Sequence, residues 1–255
     1  MSKRWVLIML LLSVTLVPVL ATGNEQEAVA IAKKVDELYR SKTSYAELTM
    51  EITTPHWART LEMKAWSRGM DQTLIRILAP RKERGVGTLR LDTEMWNFLP
   101  RTGKVIKIPP SMMMSAWMGS DFTNDDLVKE FTLLKHYTFS LIAPPDAKTG
   151  LKYLEARPKP DVPVVWDRIV IVVRADDLIP VKQQYYDEKG NLMREMTFSD
   201  ITRFGDRNVP AVMTLIPANK EGHRTVIRYT ELELDVKLKD DVFSLQNLRR
   251  PIGGD

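Results

Sequence analysis

Between Tyr45 and Val236 apolar and polar residues alternate with a period of two, and turn signals cut the alternation at short intervals. A period of two sends successive side chains to opposite faces of an extended chain, so each run can bury one face only. "AELTMEI" sets Leu48, Met50 and Ile52 on one side, and "RTLEMKAW" sets Leu61, Met63 and Ala65 against Glu62 and Lys64. "SRGMD", "RTGK", "DEKGN" and "NKEGH" fall between such runs, where hairpin loops belong. Strands are expected from 45–54 through to 223–236, with no fixed repeat and no low-complexity linker. "PKPDVP" at 158–163 reads as an irregular loop within one unit. The fold class is mainly β with a few α-helices: one antiparallel domain over 22–255 that curls strongly.

The chain starts differently. "MSKR" and the apolar run "WVLIMLLLSVTLVPVL" form the pattern of a secretory signal peptide over 1–21, with cleavage after Ala21 or after Gly23. The run is shorter than the ~20 apolar residues of a membrane span. Cysteine is absent, so no disulfide supports the exported fold and no thiol accepts a lipid at the new N-terminus. In a diderm bacterium the product is then periplasmic. A helix follows across "EAVAIAKKVDELYR", where Ala28, Ile31, Ala32, Val35, Leu38 and Tyr39 recur at helical spacing. Charge is nearly balanced: Lys plus Arg number 37 against 33 Asp plus Glu, and removing Lys3 and Arg4 leaves 35 against 33. The signs alternate along strands such as "ELELDVKLKDD", which describes solvated faces and no nucleic-acid patch.

"SMMMSAWMGSDFTNDDLVKEF", Ser111 to Phe131, breaks the alternation. Pro109 and Pro110 end the preceding strand, and Ser111 can cap a short helix in which Met114, Trp117 and Met118 share a face beside Met113. Gly119 is its expected stop. Thr123 with Asp126 three residues on makes an acidic capping box for a second helix, whose apolar side is Leu127, Val128 and Phe131. Methionine suits surfaces that must fit varied shapes. Two short amphipathic helices laid over a sheet would make an adaptable lid. A lid residue should be cheaper to truncate than the ~3–5 kcal/mol of a buried core Trp, and Trp117 is the place to test it.

The residues for catalysis are sparse. His56, His136 and His223 lie far apart with no second ligand at metal-binding spacing, and Ser120-Asp121 lacks a nucleophile elbow around it. "GVGTLR" at Gly85 to Arg90 lacks a phosphate-loop signature. A binding protein without cofactor or metal is expected, not an enzyme.

An exported chain with an N-terminal helix, a meander of strands, "TEMWNFLPRTGKVIKIP" and "SAWMGSDFTNDDL" resembles the outer-membrane lipoprotein-sorting proteins of the LolA-like superfamily. The resemblance is to the branch with a W-x-[YF]-x-P pattern, here Trp96, Phe98 and Pro100, and a G-S-D-F segment, here Gly119 to Phe122. It implies an unclosed β-barrel, or half-barrel, with helices over its open face and an apolar hollow for the acyl chains of a lipid or lipoprotein. The hollow and lid are then expected at Leu48, Met50, Leu61, Met63, Trp96, Phe98, Met113, Met114, Trp117, Met118 and Phe122. The implied partners are an inner-membrane transporter of the resistance-nodulation-division type and an outer-membrane acceptor, served by a monomer. A lipid-sensing regulatory domain and a transporter accessory that binds no ligand are the alternatives.

Overall fold

The computed structural model describes residues 23–129 and 133–252; the leader expected at 1–21 and Phe131 of the second lid helix lie outside the described residues. Strands form where the alternation expects them: β1 (Thr43–Thr53), β2 (Ala58–Arg68), β3 (Gln72–Ala79), β4 (Gly87–Leu91), β5 (Glu94–Leu99), β6 (Lys104–Lys107), β7 (Tyr137–Ile142), β8 (Leu151–Pro158), β9 (Arg168–Arg174), β10 (Pro180–Tyr186), β11 (Leu192–Phe204), β12 (Arg207–Pro217) and β13 (Arg224–Leu234). All join one antiparallel sheet in the order β6-β5-β4-β3-β2-β1-β13-β12-β11-β10-β9-β8-β7. Every neighbouring pair is consecutive in sequence except β1 and β13, which meet in the middle. Register shifts at Glu47/Leu48, Glu62/Met63 and Tyr185/Tyr186 add local bends to the ordinary twist, so the sheet curls without closing.

This order has a direct consequence for the Met-rich segment. β6 and β7 follow one another in the chain yet occupy opposite edges of the sheet. The connection between them must therefore run from one edge of the sheet to the other. Topology requires an edge-to-edge crossing, and the burial of Trp117 and Phe122 in the two concave clusters seats it on that face.

Helix α1 (Gly23–Asp36) buries Ala28, Ile31 and Ala32. It stops before Leu38 and Tyr39, short of the expected end. The Arg207 guanidinium explains this, because it donates at 2.6 Å to the carbonyls of both Glu37 and Arg40, acceptors that a continuing helix would need. Leu38 and Tyr39 still face inward, and the Tyr39 hydroxyl donates to the Pro210 carbonyl at 2.7 Å.

Apolar packing is divided. One cluster joins α1 to β7–β12 through Ile31, Phe139, Ile169, Ile171 and Leu215. A second occupies the other half of the concave face with Leu48, Met50, Leu61, Met63 and Ile77. Phe122 of the crossing segment belongs to the first and Trp117 to the second. A third cluster lies on the outer face, where Leu74, Leu89 and Phe98 are covered by Phe243 and Leu248. There a short C-terminal helix, α4 (Leu245–Leu248), approaches so closely that a Cβ at Gly87 would sit 2.7 Å from Leu248 Cδ1. Arg76 holds this helix from below, donating to the carbonyls of Leu248 at 2.8 Å, Asn247 at 2.5 Å and Arg250 at 2.8 Å.

Candidate functional site

The crossing segment is tied to both halves of the sheet. It is built from two 3-10 turns, Pro110–Met112 and Trp117–Gly119, and two short helices, α2 (Asn124–Lys129) and α3 (Leu133–His136). The single helix expected over 111–118 does not form. Its ladder would need the Met113 carbonyl to accept from Trp117, but Met113 accepts from the Asp125 N–H at 2.8 Å. The Trp117 N–H goes to the Phe122 carbonyl at 2.7 Å, and Ala116 bridges Thr123. Folding the segment back on itself outcompetes the helix, and Met118 turns left-handed at φ 50. Ser111 lies inside the first turn, after Pro109 at its cap, and caps nothing. Met114 consequently separates from Trp117 and Met118: Met114 is 52 % exposed and Met112 48 %.

The expected capping box does form. Asp126 Oδ2 accepts from the Thr123 N–H at 2.7 Å, and Thr123 Oγ1 accepts from the Asp126 N–H at 3.1 Å. The same carboxylate receives the Arg194 guanidinium of β11 as a buried fork, at 2.7 and 2.6 Å. The Arg194 guanidinium packs against both Trp166 and Tyr185, 4.6 and 4.3 Å from their ring centroids. From the other half, Arg90 of β4 donates to the Val128 carbonyl at 3.2 Å, and Arg59 of β2 donates to that of Met118. At β13, Thr225 Oγ1 donates to Asp121 at 2.8 Å, with His223 Nδ1 3.3 Å from the same carboxylate.

Between this segment, α1 and the concave face lies a cavity of ≈ 210 Å³ with largely apolar walls. Leu48, Met63, Trp117 and Phe122 line it together, as does Met95, which sequence reasoning passed over. Met50 and Leu61 pair one rung further along the same face and are fully buried, but do not reach the cavity. Met113 and Met118 are half-buried and do not line it. Trp96 and Phe98 correct the expectation most clearly. They point to the outer face and pack with Leu89, Phe243 and Leu248. In "EMWNFL" the period of two puts Met95 and Asn97 inside and the two aromatic residues outside. The W-x-[YF]-x-P motif that pointed to them carries no information on which face they take, and the period of two identifies Met95.

Trp117 is both wall and core. It is 3 % exposed, and its indole N–H donates to Thr88 Oγ1 at 3.1 Å. A tryptophan packed and satisfied in this way is expected to behave as core when truncated, against the cheaper lid expectation.

A curled, unclosed antiparallel sheet covered on its concave side by an N-terminal helix and an edge-to-edge crossing is the LolA-like fold. A family model described as "Uncharacterized protein" matches residues 69–250, and the chain belongs to that family. Among solved structures, a DUF1329 family protein from Desulfovibrio piger ATCC 29098 is similar at 25 % identity and a TM-score of 0.79, over 88 % of this chain and 99 % of that one. A domain described as that of an outer membrane lipoprotein-sorting protein, from Vibrio parahaemolyticus, is similar at 22 % identity and a TM-score of 0.76, over 89 % and 100 %. A LolA superfamily protein from Nitrosomonas europaea is similar at 20 % identity and a TM-score of 0.72, over 86 % and 98 %. No curated protein matches the sequence.

Proposed function

We propose that the protein is a periplasmic carrier that takes acyl chains of a lipid or lipoprotein into the cavity beneath the crossing segment and passes them towards the outer membrane. The observation that carries this reading is the apolar cavity of ≈ 210 Å³, roofed by the segment that joins the two edges of the sheet. Its size bears on mechanism. It exceeds the ~150 Å³ of a dry cavity that admits benzene and falls short of the ~300–1,000 Å³ usual for drug-sized ligands. A ~16-carbon chain would gain roughly 12 kcal/mol of gross burial, but it needs more room than this closed arrangement offers. Admitting it requires Trp117 and Phe122 to move, and their return to the cavity then helps to expel the chain. Competition between the roof and the cargo keeps binding reversible.

A transporter at the inner membrane and an acceptor at the outer membrane complete this scheme. The reading assigns no catalysis, cofactor or metal to the protein. Mass spectrometry of a solvent extract from gently purified protein tests it. Stoichiometric acyl lipid is expected. Protein that carries no lipid, and takes none up from vesicles of inner-membrane phospholipid, would leave the accessory role as the better account.

A further inference from the structure

One end of the cavity is polar, and the strand register shows how. Ser44 pairs with Ser67, Ser67 with Thr73, and Thr73 with Arg90, so one rung across β1, β2, β3 and β4 carries three hydroxyls and a guanidinium. Directly paired residues share a face, and all four line the cavity. Ser44, Ser67 and Arg90 are 7 %, 8 % and 2 % exposed, and the two serine oxygens lie 2.5 Å apart. Thr73 Oγ1 is buried without a hydrogen-bond partner among the described residues. The next rung in, about 7 Å away, reads Ala46, Ala65, Ile75 and Thr88, and the one after begins Leu48, Met63 and Ile77. Polarity thus gives way to apolar wall along the strands. The serines bond each other and Arg90 donates to the Asp92, Val128 and Met70 carbonyls, whereas the buried Thr73 hydroxyl has no such compensation.

Arg40, in the turn after α1, lines the same cavity and also an outer groove of ≈ 770 Å³. Lys34, Lys42 and Arg207 line that groove as well. Its acids are engaged: Glu37 lies 3.8 Å from Lys33, and Asp177 receives the Arg174 guanidinium at 3.0 Å. Inside, the Asp36 carboxylate opposes Arg40, and the carboxylates that act on Arg90 are Asp71 and Asp92.

We infer that the cargo is an anionic amphiphile, its carboxylate or phosphate held by Arg40 and the Ser44–Ser67–Thr73–Arg90 rung and its chain running inward past Leu48 and Met63 to Trp117. This rests on the carrier reading and narrows it. Fatty acids and phosphate-bearing lipids fit such a site. The acylated cysteine of a lipoprotein, whose glycerol ester and amide groups carry no negative charge, does not use it.

Displacement of a fluorescent apolar probe from the full-length mature protein tests the inference with ligands of one chain length. Hexadecyl phosphate or palmitate should bind at least about tenfold more tightly than hexadecanol, and the comparison of the two anions decides which head group is preferred. Inorganic phosphate at millimolar concentration should not displace the probe; displacement by it alone would mean a free-anion site and overturn the lipid assignment. Arg40→Gln, and separately Ser44→Ala with Ser67→Ala, should reduce the preference for hexadecyl phosphate over hexadecanol to about twofold or less. Equal binding of hexadecanol and both anions by the parent protein overturns the head-group site and leaves the carrier reading standing. That comparison needs no variant to fold. If no chain-bearing ligand displaces the probe, the carrier reading itself falls and takes the inference with it.

Discussion

At the residue scale, Trp117 and Asp36 are the informative positions. Trp117→Phe keeps the ring packing and removes the Nε1–Thr88 hydrogen bond, so a loss of about 1 kcal/mol in urea unfolding is expected. Trp117→Ala should lose about 3–5 kcal/mol and, by enlarging the cavity, bind an acyl probe more tightly and release it more slowly. A severe loss of stability with an unchanged probe off-rate would make Trp117 core and nothing more. Asp36 provides a pH signature. Burial pushes its carboxyl from 3.8 up to about 6, against the pull of Arg40 and with a small push from Glu37. Because the folded state holds this proton more tightly than the unfolded state, stability gained from it is full below pH ~4 and is lost as pH rises through ~6. Asp36→Asn should therefore stabilise the protein at pH 7 by roughly 1–2 kcal/mol, after discounting for solvent screening, and flatten its stability between pH 4 and 6. Parallel urea curves for parent and variant across that range would show the idea wrong if both kept the same slope.

At the scale of elements, the crossing segment depends on α2, and α2 depends on Asp126. One carboxylate closes the capping box and anchors the helix to β11 through Arg194. Asp126→Asn leaves a buried guanidinium without its counter-charge, which costs about 3–5 kcal/mol, and loosens the roof more than the sheet. Limited proteolysis should then cut within residues 111–123 faster than in the parent, while circular dichroism keeps its strand signal. Cleavage spread evenly over the chain would show that the segment does not open as a unit. The face of β2 is open to an equally direct test. Met63 is 2 % exposed on the cavity side, so Met63→Asp places an unpaired charge there and should destabilise strongly. A variant as stable as the parent would put that strand face elsewhere.

For the whole molecule, the two runs of hairpins, β1–β6 and β7–β13, are joined by the pairing of β1 with β13, by apolar packing on the concave face, and by the crossing segment and α1. Cargo in the cavity touches both halves, so it should stabilise them together. At a free ligand concentration of one hundred times Kd, the gain is about 2.7 kcal/mol, or ~5–10 °C in melting temperature for a domain of this size. Differential scanning fluorimetry with hexadecyl phosphate should show one transition moving upward. A shift confined to one of two separable transitions would mean that the halves respond independently.

The sequence alone determined the strands, because a period of two with a turn between runs is a local property that each hairpin enforces without reference to the rest. It determined the concave face of β1 and β2 through Leu48, Met50, Leu61 and Met63, and the capping box of α2, for the same local reason. Family likeness added the unclosed sheet. What lay beyond reach was non-local. The length of α1 depends on Arg207, distant in the chain, and the two 3-10 turns depend on Met113 and Trp117 finding backbone partners after residue 121. Trp96 and Phe98 turn outward to meet a C-terminal helix that carries no strong pattern of its own. The polar rung of Ser44, Ser67, Thr73 and Arg90 exists only once four strands are in register. Each of those residues reads singly as an ordinary strand position. Pairing across strands is what places them on one wall of one cavity.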